Sequence, residues 1–226
     1  VTNVEPSGII PHINDVSTNS LSELDTSKFK IIFDSLKKII IKINKEKTKK
    51  NNAFVISSPI SSDGKTFNTI LLGIAASQMN KRVLLIDMDE EKKSLTKVLF
   101  KNNSNKSGFT DIRENHFDVS NLSKYINKSD SFNLDIMPSG KAKKDEKLQA
   151  YFENNNTLEK FFENLSNFYD FILCDTMPIS YHPDSILISE VISPILTIRH
   201  NSTPISIVRH IIDEYKKFEL SPPQII

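Results

Sequence analysis

The chain has 226 residues, and its 29 lysines and arginines balance 28 aspartates and glutamates, so no single-sign charge favours a nucleic acid or an anionic membrane surface as partner. The single cysteine, Cys174, excludes an internal disulfide framework and a metal site built from several cysteines. With 38% hydrophobic residues the chain can bury one substantial core, and no run approaches the roughly 20 apolar residues of a membrane-spanning helix.

The amino-terminal segment is predicted to be an arm followed by a helix. Residues 1–26 are rich in Ser, Asn, Asp and Thr, with one apolar island at residues 8–11 that we expect to touch the domain. Apolar residues then recur at helical spacing over residues 27–43, which predicts an amphipathic helix. This places a linker or arm at 1–26 and a domain at 27–226. Because the chain starts at Val1 and ends where the largely apolar residues 224–226 indicate the start of a strand, we expect a fragment truncated at its carboxyl end.

Strands and helices alternate through the rest of the chain. Residues 53–57, 67–79 and 82–86 predict a strand, a helix and a second strand, which is a parallel crossover unit. Further strands are predicted at 134–137, 171–174 and 195–198, and further helices at 148–165, 184–191 and 205–215. The alternation predicts an α/β fold with a doubly wound, mostly parallel sheet and helices on both faces. In such sheets ligands bind beyond the carboxyl ends of the strands.

The loop after the first predicted strand has the composition of a phosphate-binding loop. Such a loop needs turn-tolerant residues whose amides converge, a lysine for the phosphates, a hydroxyl for Mg²⁺ and a helix N-terminus behind them. The alternative is an ordinary strand-to-helix turn with a chance Gly-Lys-Thr sequence. The candidate nucleotide-binding residues are Ser61, Ser62, Asp63, Gly64, Lys65 and Thr66.

Aspartates follow two other predicted strands. Asp87 and Asp89 follow the strand predicted at 82–86, and Asp175 follows the strand predicted at 171–174. Carboxylates at this edge can bind Mg²⁺ directly or through water, and one of them could accept a proton from an attacking hydroxyl. Strand-end aspartates are common individually, but three of them together with the Gly64-Lys65-Thr66 loop favour a nucleotide site.

These motifs resemble the cytoplasmic domain of bacterial tyrosine kinases, which work with polysaccharide co-polymerases in capsule and exopolysaccharide export. The resemblance covers most of the chain and places it among P-loop NTPases of the deviant Walker type. Secondary matches lie at residues 8–11, at 132–140 and at Pro183-Asp184-Ser185. They favour this family over relatives that position division sites or partition plasmids.

The resemblance implies ATP or ADP and Mg²⁺ as cofactors. Lys65 would contact the phosphates, Asp87 and Asp89 would form the Walker A′ pair, and Asp175 would be the Walker B acid. The implied catalytic residues are Lys65, Asp87 and Asp89, and the implied metal ligands are Thr66, Asp87 and Asp175. Asp87 is the candidate for polarising the tyrosine hydroxyl. The implied partner is a membrane polysaccharide co-polymerase segment, on the same chain or a separate one, which would tether a cytoplasmic domain to the inner face of the plasma membrane.

The sequence also departs from the family pattern. Ser62 stands where the family usually has glycine, Glu90 and Glu91 stand where it has a basic residue, and Met177 replaces a proline. The positions of the ring-forming pattern hold Ser27, Lys30 and Phe33, so a homo-oligomer is possible but the family's ring contact is not predicted. The tyrosines of the chain are expected to be packing residues more often than phosphate acceptors, and no tyrosine cluster follows Tyr215.

Three functions therefore stay open. The first is an ATP-dependent protein-tyrosine autokinase that regulates polysaccharide chain length or export. The second is a degenerate regulatory module of the same system that binds nucleotide weakly, which Ser62, Glu90 and Glu91 favour. The third is a partitioning or positioning ATPase, although those proteins usually carry a second lysine and more glycines in the loop.

Overall fold

Helices and strands alternate along the chain in the computed structural model, which describes residues 6–11, 30–100, 105–129, 132–141, 156–180 and 184–226. The helices are α1 (Lys30–Lys45), α2 (Lys65–Gln78), α3 (Ser94–Phe100), α4 (Phe109–Glu114), α5 (Asn156–Ser166), α6 (Asp184–Ile188) and α7 (Ile205–Lys217), with a 3₁₀ helix at Val119–Lys124. The strands are β1 (Ala53–Ser57), β2 (Val83–Asp87), β3 (Asn127–Lys128), β4 (Asp135–Met137), β5 (Phe171–Asp175), β6 (Ser193–Leu196) and β7 (Gln224–Ile225).

Within these ranges the strands form one sheet in the order β3-β4-β2-β5-β1-β6-β7. All neighbours are parallel except β3 and β4, which pair antiparallel at one edge. The predicted doubly wound α/β fold is confirmed. Because β5 lies between β2 and β1, the carboxyl ends of these three central strands meet at one place, and the loops that follow them adjoin each other.

The two faces of the sheet carry separate cores. Side chains of a strand alternate between faces, so Phe54 and Ile56 of β1 pack with α1 and α2, whereas Val55 packs with α5 and α4. The stripe of α1 is buried as its spacing predicts, including Leu36 and Ile43. Removing the apolar area of a side chain such as Leu36 from water contributes about 1.5–3 kcal/mol, so these cores hold the strand ends in fixed positions.

The arm contacts the domain where its apolar island lies. Ser7 N donates to Ile225 O at 2.6 Å, and Lys42 Nζ donates to Pro6 O at 3.2 Å. Gly8 lies so close to Ile39 that a side chain there would clash with it. The expected contact of residues 8–11 is thus present, while the remainder of the 1–26 arm lies outside the described residues.

The structure changes several predicted boundaries. The strand expected at 195–198 is β6 at Ser193–Leu196, because pairing with β1 already begins at Ser193. The helix expected at 148–165 is described only from Asn156, and the start of the helix expected at 27–43 is described only from Lys30. The prediction missed α3, α4, the 3₁₀ helix and β3, which are too short to show a period. No helix in the described ranges is long and apolar enough to cross a membrane.

Candidate functional site

The loop between β1 and α2 has the backbone of a phosphate-binding loop. Gly64 caps α2 with φ 87° and ψ 17°, a left-handed conformation that glycine adopts without strain. Ser62 is also left-handed, with φ 71°, but carries a side chain. The 14-residue helix α2 begins at Lys65, so its free amides and the positive end of its dipole face the loop. An anion bound at this loop would therefore lie at the N-terminus of α2.

Thr66 and Asp175 meet at the base of this loop. Thr66 Oγ1 donates to Asp175 Oδ2 at 2.6 Å, and Asp175 Oδ1 is buried without a hydrogen-bond partner among the described residues. Burial raises the pKa of Asp175 to about 7, with Asp87 and Asp89 adding to the rise and Lys65 opposing it. A buried carboxylate oxygen without a partner is costly unless a cation or donor compensates it.

Asp87 is fully buried and oriented by three donors. Its Oδ2 accepts hydrogen bonds from Thr96 N at 2.8 Å and Thr96 Oγ1 at 2.6 Å, and its Oδ1 accepts one from Asp89 N at 3.1 Å. Burial raises the pKa of Asp87 to about 6, although the Thr96 donors oppose the rise. Since a carboxylate offers about four acceptor positions, Asp87 keeps one for a proton donor. Thr96 was missed because it lies in the short helix α3.

Asp89 shapes the turn that follows β2. Its Oδ1 accepts from Lys92 N at 2.8 Å, and its carbonyl accepts from Lys93 N at 2.9 Å. Met88 N donates to Asp175 O at 2.8 Å, which joins this turn to the end of β5. Within the part of the chain that the structure describes, no three acidic, His or Cys side chains converge as a metal cluster. A cation here would instead combine Thr66 and Asp175 with ligand oxygens.

Glu90 does not leave an unpaired charge beside the loop. Its carboxylate pairs with both terminal nitrogens of Arg113 on α4, with Nη2 3.1 Å from Oε2. The Arg113 side chain is only 3% exposed and that of Glu90 13% exposed. The sequence indicated that Glu90 would oppose a triphosphate, but the structure neutralises it with a residue 23 positions away. Sequence reasoning missed Arg113 because nothing local marks it as a partner.

Asp63 joins the phosphate-binding loop to the segment after β6. Burial raises the pKa of Asp63, while hydrogen bonds from the Thr203 hydroxyl and the Ile60 amide, and the charge of Lys65, oppose the rise. Thr203 Oγ1 also accepts from Arg199 N at 3.0 Å. Asp63 Oδ2 is buried and lacks a hydrogen-bond partner among the described residues.

The structure thus brings residues 61–66, Asp87, Asp89 and Asp175 to one edge of the sheet. A family described as AAA domain matches residues 55–195, which is more than half of the chain and contains all of them. The chain belongs to this family. The AAA-domain assignment agrees with the succession of strand β1, the phosphate-binding loop and helix α2, which Gly64 caps.

Among known proteins, the chain is similar in sequence to bacterial tyrosine-protein kinases. The tyrosine-protein kinase wzc of Salmonella typhi is 29% identical over 171 residues, which cover 76% of this chain and 21% of that protein. The tyrosine-protein kinase CpsD of Streptococcus agalactiae is 27% identical over 144 residues, covering 62% of this chain and 58% of that protein. The chain therefore spans about a fifth of wzc and somewhat more than half of CpsD.

Solved structures agree on the fold. The BceF tyrosine kinase domain has a TM-score of 0.74 and 19% identity, and the match covers 99% of this chain and 93% of that one. Together with the sequence matches, this shows that the AAA domain of this chain is similar to the kinase domains of bacterial tyrosine kinases. The family resemblance found in the sequence is confirmed, while the roles of individual site residues stay predictions.

Proposed function

We propose that this AAA domain is the ATP- and Mg²⁺-dependent protein-tyrosine kinase domain of a capsule or exopolysaccharide export system. The observation that carries the proposal is the hydrogen bond of 2.6 Å between Thr66 Oγ1 and Asp175 Oδ2 at the base of the phosphate-binding loop. This bond places the Thr66 hydroxyl beside the Asp175 carboxyl group, and a hydroxyl and an acid of this kind together hold the magnesium ion in P-loop proteins. The tyrosine-protein kinases among the relatives extend the proposal from nucleotide binding to phosphoryl transfer.

The residues present fit a magnesium nucleotide. Asp175 Oδ1 is a buried carboxyl oxygen without a protein partner among the described residues, which a divalent cation or its water would satisfy. The Thr66 hydroxyl lies beside it and can exchange its bond to Asp175 for a bond to the ion. Lys65 is 9% exposed at the start of α2 and supplies a positive charge facing the same carboxylates. Lys65 and the amides of residues 61–66 would hold the phosphates.

In this proposal the protein contributes alignment, charge and a proton acceptor. When bound, magnesium ATP supplies the phosphoryl group that is transferred. Lys65 neutralises charge on the phosphates, and the exclusion of water from the buried carboxylates strengthens that effect. Asp87 accepts the proton of the attacking tyrosine hydroxyl at its remaining acceptor position. With a pKa of about 6, Asp87 is mostly ionised at neutral pH. Its pKa also lies close to the working pH, which favours a general base.

The described tyrosines do not fit the role of phosphate acceptor. Tyr215 is 1% exposed and Tyr125 is 5% exposed, so neither hydroxyl can reach a site on another molecule. The Tyr169 hydroxyl donates to Asp135 Oδ2 at 2.7 Å. This bond lies at the amino ends of the strands, on the side of the sheet away from the phosphate-binding loop. We therefore propose that the acceptor is a tyrosine outside the described residues or on another polypeptide.

The proposed setting is the inner face of the bacterial plasma membrane. The matched region forms about a fifth of wzc but more than half of CpsD, so kinases of this type occur both within long chains and as shorter ones. Either arrangement would let a membrane polysaccharide co-polymerase segment bind this domain, on the same chain or as a separate protein. A homo-oligomer remains compatible with this setting.

A second candidate is a regulatory module that keeps the fold but binds nucleotide weakly. The observation in its favour is Ser62 in the centre of the phosphate-binding loop. Its φ of 71° is left-handed, a conformation that glycine adopts more easily than serine does. The ion pair between Glu90 and Arg113 argues against it, because it neutralises one of the two acidic side chains, Glu90 and Glu91, that stand after Asp89.

A phosphotyrosine assay tests the first function. The domain is incubated with Mg²⁺, ATP labelled in the γ position and a tyrosine-rich acidic peptide, and incorporation of label is measured. We expect Asp87→Asn to lower the rate by about 100-fold or more, the range for loss of a general base, without weakening nucleotide binding to the same extent. The control is Asp213→Asn, on the exposed surface of α7. Equal rates for wild type and Asp87→Asn would contradict the proposed role, and absence of label with bound nucleotide would favour the regulatory module.

A further inference from the structure

Lys92 connects two loops that are not neighbours in the sheet. Its Nζ donates to Ser61 Oγ at 3.1 Å, although Ser61 follows β1 and Lys92 follows β2. Since β5 lies between these strands and adjacent strands are about 4.8 Å apart, the two loops start roughly 10 Å from each other. Lys92 therefore bridges the strand end that carries Asp175.

The backbone of Lys92 is fixed, whereas its ammonium is loosely held. Lys92 N donates to Asp89 Oδ1 at 2.8 Å, and the next amide donates to Asp89 O at 2.9 Å. The bond from Lys92 Nζ to the Ser61 hydroxyl is exposed to solvent, where water competes for both partners. The side chain can therefore change its partner at small cost while its Cα stays in place.

Two charged neighbours of Lys92, Lys93 and Glu90, contact groups outside the phosphate-binding loop. Lys93 Nζ donates to Gly140 O at 2.7 Å, away from the phosphate-binding loop. Glu90 is held in its ion pair with Arg113. Of the two adjacent lysines, Lys92 is the one whose ammonium contacts the loop that would hold the phosphates.

We propose that Lys92 contacts the terminal phosphate of a bound nucleoside triphosphate, exchanging its bond to Ser61 for one to that phosphate, and so makes the site prefer triphosphate to diphosphate. The proposal rests on the nucleotide-binding function proposed above. An ammonium has three donors, and one of those of Lys92 bonds to the Ser61 hydroxyl, which is replaceable by a phosphate oxygen. A charged phosphate oxygen is a stronger acceptor than a serine hydroxyl, so the exchange is favourable.

The test compares ATP and ADP binding by calorimetry at fixed Mg²⁺ in the wild type, Lys92→Met, Lys92→Arg and Lys93→Met. Lys93→Met is the matched control, since it removes an adjacent ammonium that contacts Gly140 O instead of the loop. We expect Lys92→Met to weaken ATP binding by about tenfold, the size for one hydrogen bond to a charged group, and ADP binding by less than about twofold. Lys92→Arg should keep most of the preference for ATP, and Lys93→Met should bind both nucleotides like the wild type.

The outcomes separate this proposal from the proposed function. If Lys92→Met binds ATP as tightly as the wild type does, the proposed role of Lys92 is wrong. The nucleotide site itself would still stand, because the wild type binds ATP. An equal loss of ATP and ADP binding would also overturn it, because it would mean that Lys92 supports the loop and not the terminal phosphate. A wild type that binds neither nucleotide would overturn both. Melting curves establish whether each variant is folded, and we expect this of both Lys92 variants because the Lys92 side chain is exposed.

Discussion

Replacing Asp175 by asparagine should stabilise the metal-free domain while removing its function. Burial raises the pKa of Asp175 from 3.8 to about 7, so the folded state binds the proton more tightly than the unfolded state does. The stability linked to this proton is fully present below about pH 4 and is lost as the pH rises through about 7. At about 1.4 kcal/mol per pKa unit, the ionised carboxylate costs the folded state about 4 kcal/mol at pH 8.

Asparagine keeps an oxygen that can accept from Thr66 but carries no charge. After a discount for burying its amide, we expect Asp175→Asn to gain about 2–4 kcal/mol at pH 8, which raises the melting temperature by roughly 4–16 °C in a domain of this size. The assay is thermal unfolding followed by circular dichroism in EDTA at pH 8 and at pH 5. At pH 5 the wild-type group is already mostly protonated, so the difference should shrink to within about 1 kcal/mol.

The control for this experiment is Asp213→Asn, whose carboxylate lies on the exposed surface of α7 and should change stability little at either pH. A gain of the same size at pH 5 and pH 8 would refute the reasoning, because it would not come from the charge of Asp175. Reduced stability of Asp175→Asn at pH 8 would refute it as well.

Two further substitutions test the surroundings of the site. Ser62→Gly should relieve about 1–2 kcal/mol of left-handed strain and lose about 0.4–1 kcal/mol to the freer unfolded chain, so denaturant unfolding should show a net gain between about zero and about 1.6 kcal/mol. The same variant should tighten ATP binding, and a loss of stability would contradict the proposed strain at Ser62. Arg113→Ala should lower the free energy of unfolding by about 3–5 kcal/mol, because it leaves the partly buried Glu90 carboxylate without its cation. Chemical denaturation measures this cost, and recovery in the double variant with Glu90→Gln is expected; a cost below about 1 kcal/mol would mean that the pair is solvated.

Most of the sheet could be predicted because its strands are buried and its helices are amphipathic. The strands β1, β2 and β5 are apolar up to their last residue, and their order places Asp87 and Asp175 at one edge whatever the details of packing. The helix α1 showed its buried stripe directly in the spacing of its apolar residues. These features depend on local pattern, which a single sequence contains.

The parts that sequence reasoning missed depend on contacts between distant segments. Thr96 orients Asp87 from a helix of seven residues, and Arg113 neutralises Glu90 from a helix of six, and neither helix is long enough to show a period. Ser62 was recognised as standing in place of a glycine, but its φ of 71° gives the physical reason. The bond between Lys92 and Ser61 joins loops 31 residues apart, which no local pattern could indicate.

The most direct test of the account is calorimetric titration of the domain with ATP at fixed Mg²⁺, in the wild type and in Lys65→Met. Lys97→Met, on the exposed side of α3, serves as the control for loss of one lysine charge. The account predicts saturable binding in the micromolar range for the wild type and the control, and no saturable binding for Lys65→Met. Wild-type affinity in Lys65→Met, or no binding by the wild type at millimolar ATP, would contradict the nucleotide site on which the proposed kinase rests.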